Sequence, residues 1–307
     1  MQLAAVTVNW NLPELTHRCV ASLLAGTRAP DWVIVVDNGS RVDPTARLQR
    51  DWPHVEVLRN GENVGFAAGA NVGLRRAVSL GADAVLVINN DAVAEPSCVM
   101  ELQRALERDS GLAAVGAKTL TEETPPRIHT AYGMITFHGQ LVRITGWLEP
   151  NVDLFNEQCE VDYVSGCAML MRRNALDAVG LFDPEFFAYH EDLDWCTRAR
   201  RAGFRVAYVP AARVRHRMHA STGGGGYVSP IVYLSQRNSI LFLRKNATAA
   251  QRCKYAVHLA VNLVKDAVFR LRRGEIAGFR LRLRGLLDGL LRRPLPLAEL
   301  GLRNGRD

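Results

Sequence analysis

Three carboxylates lie within four positions of one another in the segment from 186 to 198. Glu191, Asp192 and Asp194 follow an aromatic run and open a predicted helix. Acids in a first helical turn are stabilised by the helix dipole, and Asp194 can also pair with Arg198 one turn later. Those structural roles explain two of the acids but not the aromatic run before them. A general base must be ionised and must reach an acceptor hydroxyl, and we select Asp192 as that base, with Glu191 beside it.

A second acidic site comes much earlier, where Asp91 follows Asn89 and Asn90 at the end of an apolar run. A hard divalent cation such as Mg²⁺ or Mn²⁺ takes oxygen ligands, often only one or two carboxylates, and completes its shell with phosphates and water. Asn and Asp are also favoured turn residues, which is the structural alternative. Asp91 as a metal ligand and Asp192 as a base would suit metal-assisted transfer from a nucleotide-activated donor.

His216 is a candidate to complete that metal shell, because a neutral imidazole is a common metal ligand. It lies among Arg213, Arg215 and Arg217, with His219 shortly after. The arginines could face phosphates or only solvent, and for a single histidine a structural role is the more common one. Four consecutive glycines at 223–226 follow and predict a mobile loop.

Two further segments have features of a nucleotide site. Asp37 ends an apolar run just before the turn sequence 38–40, and its carboxylate could accept a hydrogen bond from a base-ring N–H or a ribose hydroxyl, although a turn alone explains it too. The stretch 63–71 predicts a loop that leads into a helix N-terminus, where backbone N–H groups favour an anion or the polar edge of a nucleotide. It lacks both the Lys-Ser/Thr ending of a P-loop and the GxGxxG spacing.

The elements that must position these residues alternate between strands and helices. Such alternation predicts right-handed βαβ units, a parallel sheet and an α/β fold. Ligands bind at the carboxyl ends of the strands in these sheets, and the polar segments 9–11, 37–40 and 89–91 all fall there. The predicted strands are 3–8, 32–36, 55–58 and 84–88, and the predicted helices are 13–25, 67–78 and 97–107.

The chain beyond residue 112 is less regular. Residues 161–171 predict a buried strand with a close backbone approach at Gly166, and a helix over 192–201 and a last strand over 204–208 follow. From 232 to near 291 the pattern is helical. We therefore predict two units, a first domain over 1–225 and a C-terminal helical extension over 226–307.

Charge and composition narrow the class of protein. A chain of 307 residues can bury one sizeable core. Residues 251–307 contain 13 Lys and Arg against 5 Asp and Glu, whereas the rest contains 25 against 26, so the basic character belongs to the tail.

The six cysteines include no CxxC pair, which predicts reduced thiols and no zinc site. Neither a secretion signal nor an apolar run of membrane-spanning length is present, which predicts a cytoplasmic protein.

The last helical segment is basic and amphipathic, with arginines on both sides of an apolar face. One interpretation is a helix that lies peripherally on an anionic membrane, at the inner face of the cell membrane. The other is a helix packed on the core or on a second subunit of a homodimer. Basic charge without interleaved aromatic residues argues against nucleic acid as a partner. The face comprises Ile276, Phe279, Leu283, Leu286, Leu287 and Leu290.

Taken together, these motifs resemble the inverting glycosyltransferases of family 2, and within them the rhamnosyltransferase-like branch. The resemblance covers roughly residues 3–245. Each motif is weak alone, but the set occurs in the order that the family shows. The matching stretches are 6–11, 35–40, 63–71, 88–91, 164–170, 180–183, 187–198 and 233–238.

This resemblance implies a GT-A fold, a Rossmann-like nucleotide-sugar-binding domain with a mainly parallel central sheet. It implies that Asp37 contacts the pyrimidine, that Asp192 is the base and that His216 binds metal or diphosphate. Asp91 would close a DXD-like metal site whose first acid is Asn89 here, so metal dependence is expected to be loose. The glycine loop would close over the donor. The implied donor-binding residues are Val8, Asn9, Asn11, Asp37, Asn38, Asn63, Gly65, Phe66, Asn71, Asn89, Asn90 and Asp91, and the implied acceptor- or sugar-binding residues are Gly166, Cys167, Tyr189 and Trp195.

The reaction that the resemblance implies is direct displacement at the anomeric carbon by an acceptor hydroxyl. The expected donor is dTDP-L-rhamnose or a UDP-hexose, and the expected acceptor is a growing surface polysaccharide or a lipid-linked glycan. A nucleotidylyltransferase is a rival, but it would carry a Gly-rich, Arg- or Lys-bearing loop where residues 9–13 lie. A non-catalytic, membrane-surface protein that binds nucleotides or glycans is another, and it would need no base such as Asp192.

Overall fold

The fold is built on one ten-stranded sheet with helices on both faces. The computed structural model of the chain describes residues 1–217 and 228–303. His219 and the glycines at 223–226 lie outside the described residues. The strands are β1 Leu3–Asn9, β2 Trp32–Asp37, β3 Glu56–Arg59, β4 Ala84–Ile88, β5 Ala92–Ala94, β6 Leu112–Thr121, β7 Ile128–Thr130, β8 Tyr132–Ile135, β9 Val142–Thr145, β10 Cys159–Glu160, β11 Ala168–Arg172 and β12 Arg205–His216, and the helices are α1 Pro13–Leu24, α2 Thr45–Asp51, α3 Gly65–Ser79, α4 Cys98–Arg108, α5 Arg173–Val179, α6 Glu191–Arg201, α7 Pro230–Asn246, α8 Ala249–Arg273 and α9 Ile276–Leu291.

The N-terminal half of this sheet is parallel, as the alternation of strands and helices predicts. β1 pairs in parallel with β2 and β4, and β3 extends the parallel part beyond β2. β11 runs antiparallel between β4 and β6, and β12 is parallel to β6. β1 and β4 are buried along their whole length, because α3 covers one face while α1 and α4 cover the other. The predicted α/β fold with a mainly parallel sheet is confirmed.

β12 departs most from the sequence-based prediction. The predicted strand ends at Tyr208, whereas the observed strand continues to His216. Pro210 interrupts the apolar pattern, and a shift in register between Val209 and Arg213 accommodates it within the sheet. The end of β12 pairs antiparallel with β5, which sets His216 opposite Ala92 and therefore next to Asp91.

The predicted strand over 161–171 is also corrected. β11 begins only at Ala168, and Gly166 and Cys167 form a turn before it. The apolar composition of the whole stretch reflects burial rather than extended pairing. Because Gly166 stands outside the strand ladder, its backbone N–H can donate to a side chain.

Over the described residues 228–303, the predicted helical pattern is divided into the three helices α7, α8 and α9. Thr248 and Gln251 form a capping box at the start of α8, and Gly274 ends α8 in the left-handed conformation. α9 packs closely on α7, since a Cβ at Gly285 would lie 2.5 Å from the Tyr233 carbonyl oxygen. The predicted apolar face of α9 is divided, with Leu286 buried, Phe279 and Leu283 half-buried, and Ile276, Leu287 and Leu290 exposed. Among the helices that the structure describes, none combines the length and apolar character that crossing a bilayer requires.

Candidate active site

A cavity of about 810 Å³ lies at the carboxyl ends of β1 and β4. The N-terminus of α6, the β8–β9 hairpin and the three C-terminal helices complete its wall. Most of the predicted site residues meet there, although they come from distant parts of the chain. The predicted residues that line it are Val8, Asn38, Asn63, Gly65, Phe66, Asn89, Asn90, Asp91, Gly166, Cys167, Tyr189, Glu191, Asp192 and His216.

The candidate metal centre is the pair Asp91 and His216, both of which are buried. His216 Nε2 lies 2.9 Å from Asp91 Oδ1 and 3.5 Å from Asn89 Nδ2. On its other side, His216 Nδ1 lies 3.2 Å from Nδ1 of His129. The His129 ring also contacts the Trp147 ring, at 5.0 Å between centroids. A β7 side chain therefore supports a histidine from the end of β12.

This pair fits two neighbouring ligands of one divalent cation. Ligands about 2.1 Å from a metal and at right angles to each other are about 3.0 Å apart, close to the 2.9 Å between Asp91 Oδ1 and His216 Nε2. In residues 1–217 and 228–303, no group of three or more His, Cys, Asp and Glu side chains is arranged to hold a metal. Two protein ligands suffice only if phosphate oxygens and water complete the shell. The pair is thus suited to a cation that arrives with a diphosphate.

Asp192 is held by backbone donors at the N-terminus of α6. Its Oδ2 accepts a hydrogen bond from Gly166 N at 2.8 Å, and its Oδ1 accepts one from Leu193 N at 2.7 Å. Burial raises the pKa of the Asp192 carboxyl, and these N–H donors oppose the rise because they favour the ionised form. A carboxylate that is ionised but more basic than usual suits proton abstraction.

Glu191 has a different environment from its neighbour. It is buried, and within the described chain its Oε2 has no hydrogen-bond partner. Burial and the adjacent charge of Asp192 raise the pKa of Glu191 well above its usual range. Burial raises the pKa of both acids, and the adjacent Asp192 charge raises that of Glu191 further, so Glu191 is the more readily protonated of the two.

A strained turn carries the chain into α6. Phe187, Tyr189 and His190 have φ values of +62°, +70° and +71°, in the left-handed region that non-glycine residues seldom adopt. Asn238 of α7 holds this turn, since its Nδ2 lies 2.8 Å from the carbonyl oxygens to which it donates. Those carbonyls belong to Phe186, Ala188 and Tyr189.

The same turn is tied to the predicted nucleotide loop. Ala67 N, in the first turn of α3, donates to the Phe187 carbonyl oxygen at 2.9 Å. Gly65 has a φ of +86°, and a Cβ there would lie 2.5 Å from the Phe187 ring. The close approach requires glycine at this position, so the loop before α3 and the turn before α6 are built as one unit.

Several predicted donor-site residues lie behind the cavity wall. Asp37 is fully buried, and its carboxylate accepts hydrogen bonds from Asn9 Nδ2 at 2.7 Å, from the Ser40 hydroxyl at 2.5 Å and from Arg59 Nε at 3.2 Å. Asn11 accepts a hydrogen bond from the backbone N–H of Arg41. Asp37, Asn9 and Asn11 brace the ends of β1 and β2, and they do not line the cavity.

Asn71 and Trp195 have packing roles in the structure. Asn71 binds both backbone groups of Phe182, donating to its carbonyl oxygen at 2.8 Å and accepting from its N–H at 3.0 Å. Trp195 is fully buried, and its Nε1 donates to the Gly180 carbonyl oxygen at 2.7 Å. Neither lines the cavity, because both side chains face the core between α3, α5 and α6. Their packing in the core gives no support to the expectation that Trp195 binds the acceptor and Asn71 the donor, which stays a prediction.

Among the residues that line the cavity and that sequence reasoning missed are His129, Trp147, Trp10 and Leu302. The His129 ring lies between those of His216 and Trp147, with centroids 5.0 Å from each. Trp10 carries an Nε1–H that is buried without a partner among the described residues. Leu302 reaches the cavity from near the C-terminus, where its carbonyl oxygen accepts a hydrogen bond from Asn63 Nδ2 at 2.9 Å. Trp10 lies within the matching stretch 6–11 but was not assigned to the site, whereas no motif marks His129, Trp147 or Leu302, which only tertiary folding brings to the cavity.

Solved structures similar to this one are GT-A glycosyltransferases. A mannosyltransferase from Pyrobaculum calidifontis, solved with GDP-mannose and Mn²⁺, has a TM-score of 0.60 at 13% identity, covering 95% of this chain and 88% of that one. GalNAc-T7, solved with UDP, GalNAc and Mn²⁺, has a TM-score of 0.59 at 14% identity, covering 70% of this chain and 43% of that one. The sheet and this likeness show that the chain has the GT-A fold.

Sequence comparison gives the family. The profile described as "Glycosyltransferase like family 2" matches residues 2–238, so the chain belongs to this family and is a glycosyltransferase. It is 29% identical over 270 residues to the N-acetylglucosaminyl-diphospho-decaprenol L-rhamnosyltransferase of Mycobacterium tuberculosis, covering 77% of this chain and 85% of that protein. It is 24% identical over 262 residues to a dTDP-rhamnosyl transferase of Shigella flexneri, covering 79% and 80% respectively.

Proposed function

We propose that this glycosyltransferase moves rhamnose or a hexose from a dTDP- or UDP-activated donor to a hydroxyl of a saccharide or lipid-linked acceptor, with inversion at the anomeric carbon. The observation that supports this best is that Asp192 and the Asp91–His216 pair line one cavity. A base and a diphosphate-binding centre are the two groups that direct displacement needs. The names of two relatives, an N-acetylglucosaminyl-diphospho-decaprenol L-rhamnosyltransferase and a dTDP-rhamnosyl transferase, support the choice of rhamnose, of a dTDP-activated donor and of a lipid-linked acceptor.

The chain's own residues have separate tasks in this mechanism. Asp192 takes the proton from the acceptor hydroxyl, whose oxygen then attacks the anomeric carbon from the face opposite the diphosphate. Asp91 and His216 would hold Mg²⁺ or Mn²⁺, which when bound offsets the negative charge of the leaving diphosphate. His129 Nδ1 can accept a hydrogen bond from a proton held on His216 Nδ1, and in that tautomer Nε2 of His216 is free to act as a ligand.

A screen of nucleotide sugars tests the proposed donor. We expect dTDP-rhamnose or one of the UDP-hexoses to raise the Tm of the purified protein and to be slowly hydrolysed, with a larger effect when Mn²⁺ is present. GDP-mannose carries a different nucleotide and is the control for nucleotide specificity, so we expect it to have no effect. Equal responses to every donor, or none in a folded sample, would contradict the proposal.

Replacing Asp91 by Ala is expected to weaken nucleotide binding about 10- to 100-fold in the presence of Mn²⁺, because one of only two protein ligands is lost. Calorimetry with dTDP or UDP, with Mn²⁺ and with EDTA, measures the effect. We expect the variant and the unaltered protein to bind alike in EDTA. Asp43→Ala, which removes an exposed acid paired with Arg59, is the control. Unchanged binding in Mn²⁺ would remove Asp91 from the metal site.

A further inference from the structure

The outer face of α8 presents a continuous stripe of exposed aliphatic side chains. Val257, Val261, Val264, Val268 and Leu271 are 65%, 49%, 66%, 46% and 65% exposed. Their spacing alternates between four and three residues, which places them on one side of the helix. Single exposed aliphatic residues are normal on a protein surface, but a stripe along a whole helix marks an interaction site.

The opposite face of the same helix lines the cavity. Tyr255, Asp266 and Arg270 all contribute to its wall. At 100° per residue these three lie about 180° around the helix axis from the middle of the stripe. The thickness of one helix, about 10 Å, therefore separates the cavity from whatever covers the stripe.

The charge around the stripe has only one sign. Lys254, Lys265 and Arg272 follow one flank of the stripe and are exposed. The one acid of α8, Asp266, is not available to balance them, because Arg270 Nε and Arg282 Nη1 bind its two oxygens at 2.8 and 2.7 Å. The exposed surface of α8 is thus aliphatic and cationic, and it complements a partner that is apolar and anionic.

We propose that α8 lies in the plane of an anionic lipid surface, with the stripe buried among acyl chains and the lysines at the headgroups. This proposal rests on the proposed function. With α8 on the lipid surface, the cavity would lie close to the headgroups, where the sugar of a lipid-linked acceptor is located. Buried aliphatic area and flanking lysines are the two features that hold an amphipathic helix at such an interface.

A second copy of the chain fits the stripe less well. The alternating four–three spacing would suit a helical pair, but pairs of that kind are specified by opposite charges beside the seam. Here two α8 helices would bring only basic flanks together, and like charges across an interface oppose association. A lipid surface rich in phosphates removes that repulsion and replaces it with attraction.

Vesicle co-sedimentation tests the proposal with a closely matched pair of variants. Val261→Gln/Val264→Gln removes two side chains that are 49% and 66% exposed, and the control Val152→Gln/Val42→Gln removes two with the same exposures elsewhere on the protein. With vesicles of equal parts phosphatidylcholine and phosphatidylglycerol, we expect the stripe variant to lose at least about tenfold in partitioning and the control to bind like the unaltered protein. All substituted side chains are exposed, and circular dichroism and the Tm confirm that each variant folds.

The lysines supply an independent test. Lys254→Gln/Lys265→Gln is expected to reduce binding to the mixed vesicles and to leave the weaker binding to phosphatidylcholine alone unchanged. Equal binding of the stripe variant and its control would overturn the proposal, as would a stripe substitution that changes the molecular mass in solution and not vesicle binding. Donor binding, measured by calorimetry on the same samples, separates a failure of this proposal from a failure of the proposed function.

Discussion

Asp192→Asn is expected to lower kcat for sugar transfer by about 10²–10⁴-fold while the Kd for the donor stays within about twofold. The substitution keeps the size of the side chain but removes its ability to take a proton. Donor binding is spared because Asp192 contacts the Gly166 and Leu193 N–H groups and neither residue of the metal pair. A coupled assay for released nucleoside diphosphate measures kcat, and calorimetry measures donor binding.

The neighbouring acid provides the comparison. Glu191→Gln is expected to cost less activity, because burial and the charge of Asp192 raise the pKa of Glu191 and so favour its neutral form, which an amide resembles. If the glutamine variant were the more damaged of the two, the assignment of the base would be reversed. Near-normal turnover in Asp192→Asn would remove Asp192 from the mechanism altogether.

The pH profile gives a second readout of the same group. A general base works only when it is deprotonated, so the rate rises with pH through the pKa of Asp192. Burial raises this pKa above the usual value of 3.8, so the acid limb is expected at a higher pH than an ordinary aspartate would give. The residual activity of Asp192→Asn should not show this rise of the rate with pH.

The sequence predicted the parts of the site that depend on local pattern. Asp91 and Asp192 could be found because each stands at a boundary between an apolar or aromatic run and a polar segment, and the order of the motifs resembled a family. His129 could not be found, since it becomes relevant only when β7 pairs with β6 and so comes to lie against His216. The sequence pattern indicates which residues lie at the ends of strands and helices. Which of these residues come into contact depends on the tertiary fold.

The same distinction explains where other predicted residues lie. Trp195 belongs to the segment of the proposed base Asp192, but helical geometry turns it into the core, where it is fully buried. The apolar face of the C-terminal helix α9 was expected to contact, as a whole, either a membrane surface or protein. Glycines at 285 and 289 let it approach α7 so closely that only part of that face remains at the surface. The exposed apolar stripe is on α8 instead.

Asn238→Ala is expected to reduce kcat about 10²-fold with a small change in KM for the donor, although Asn238 touches no substrate in the proposed mechanism. The turn from Phe187 to His190 holds three residues at positive φ, which is stable only while the surroundings fix it. Removing the side chain of Asn238 takes a donor from the carbonyls of Phe186, Ala188 and Tyr189, of which that of Phe186 keeps a backbone partner, the Ala188 N–H, so the turn relaxes and Asp192 moves with it.

A second buried asparagine on α7 distinguishes positioning of the base from general stability. Asn246 donates to Asp194 Oδ1 at 2.7 Å and accepts from Arg201 Nη1 at 2.9 Å, so it fastens α6 to α7 without contact to the turn. Both alanine variants are expected to lose about 1–3 kcal/mol of unfolding free energy, because each leaves buried polar groups unpaired. Asn238→Ala alone should lose kcat, measured well below the Tm of either variant. Equal losses of kcat would mean that α7 only stabilises the fold, whereas the expected difference means that the strained turn positions the base.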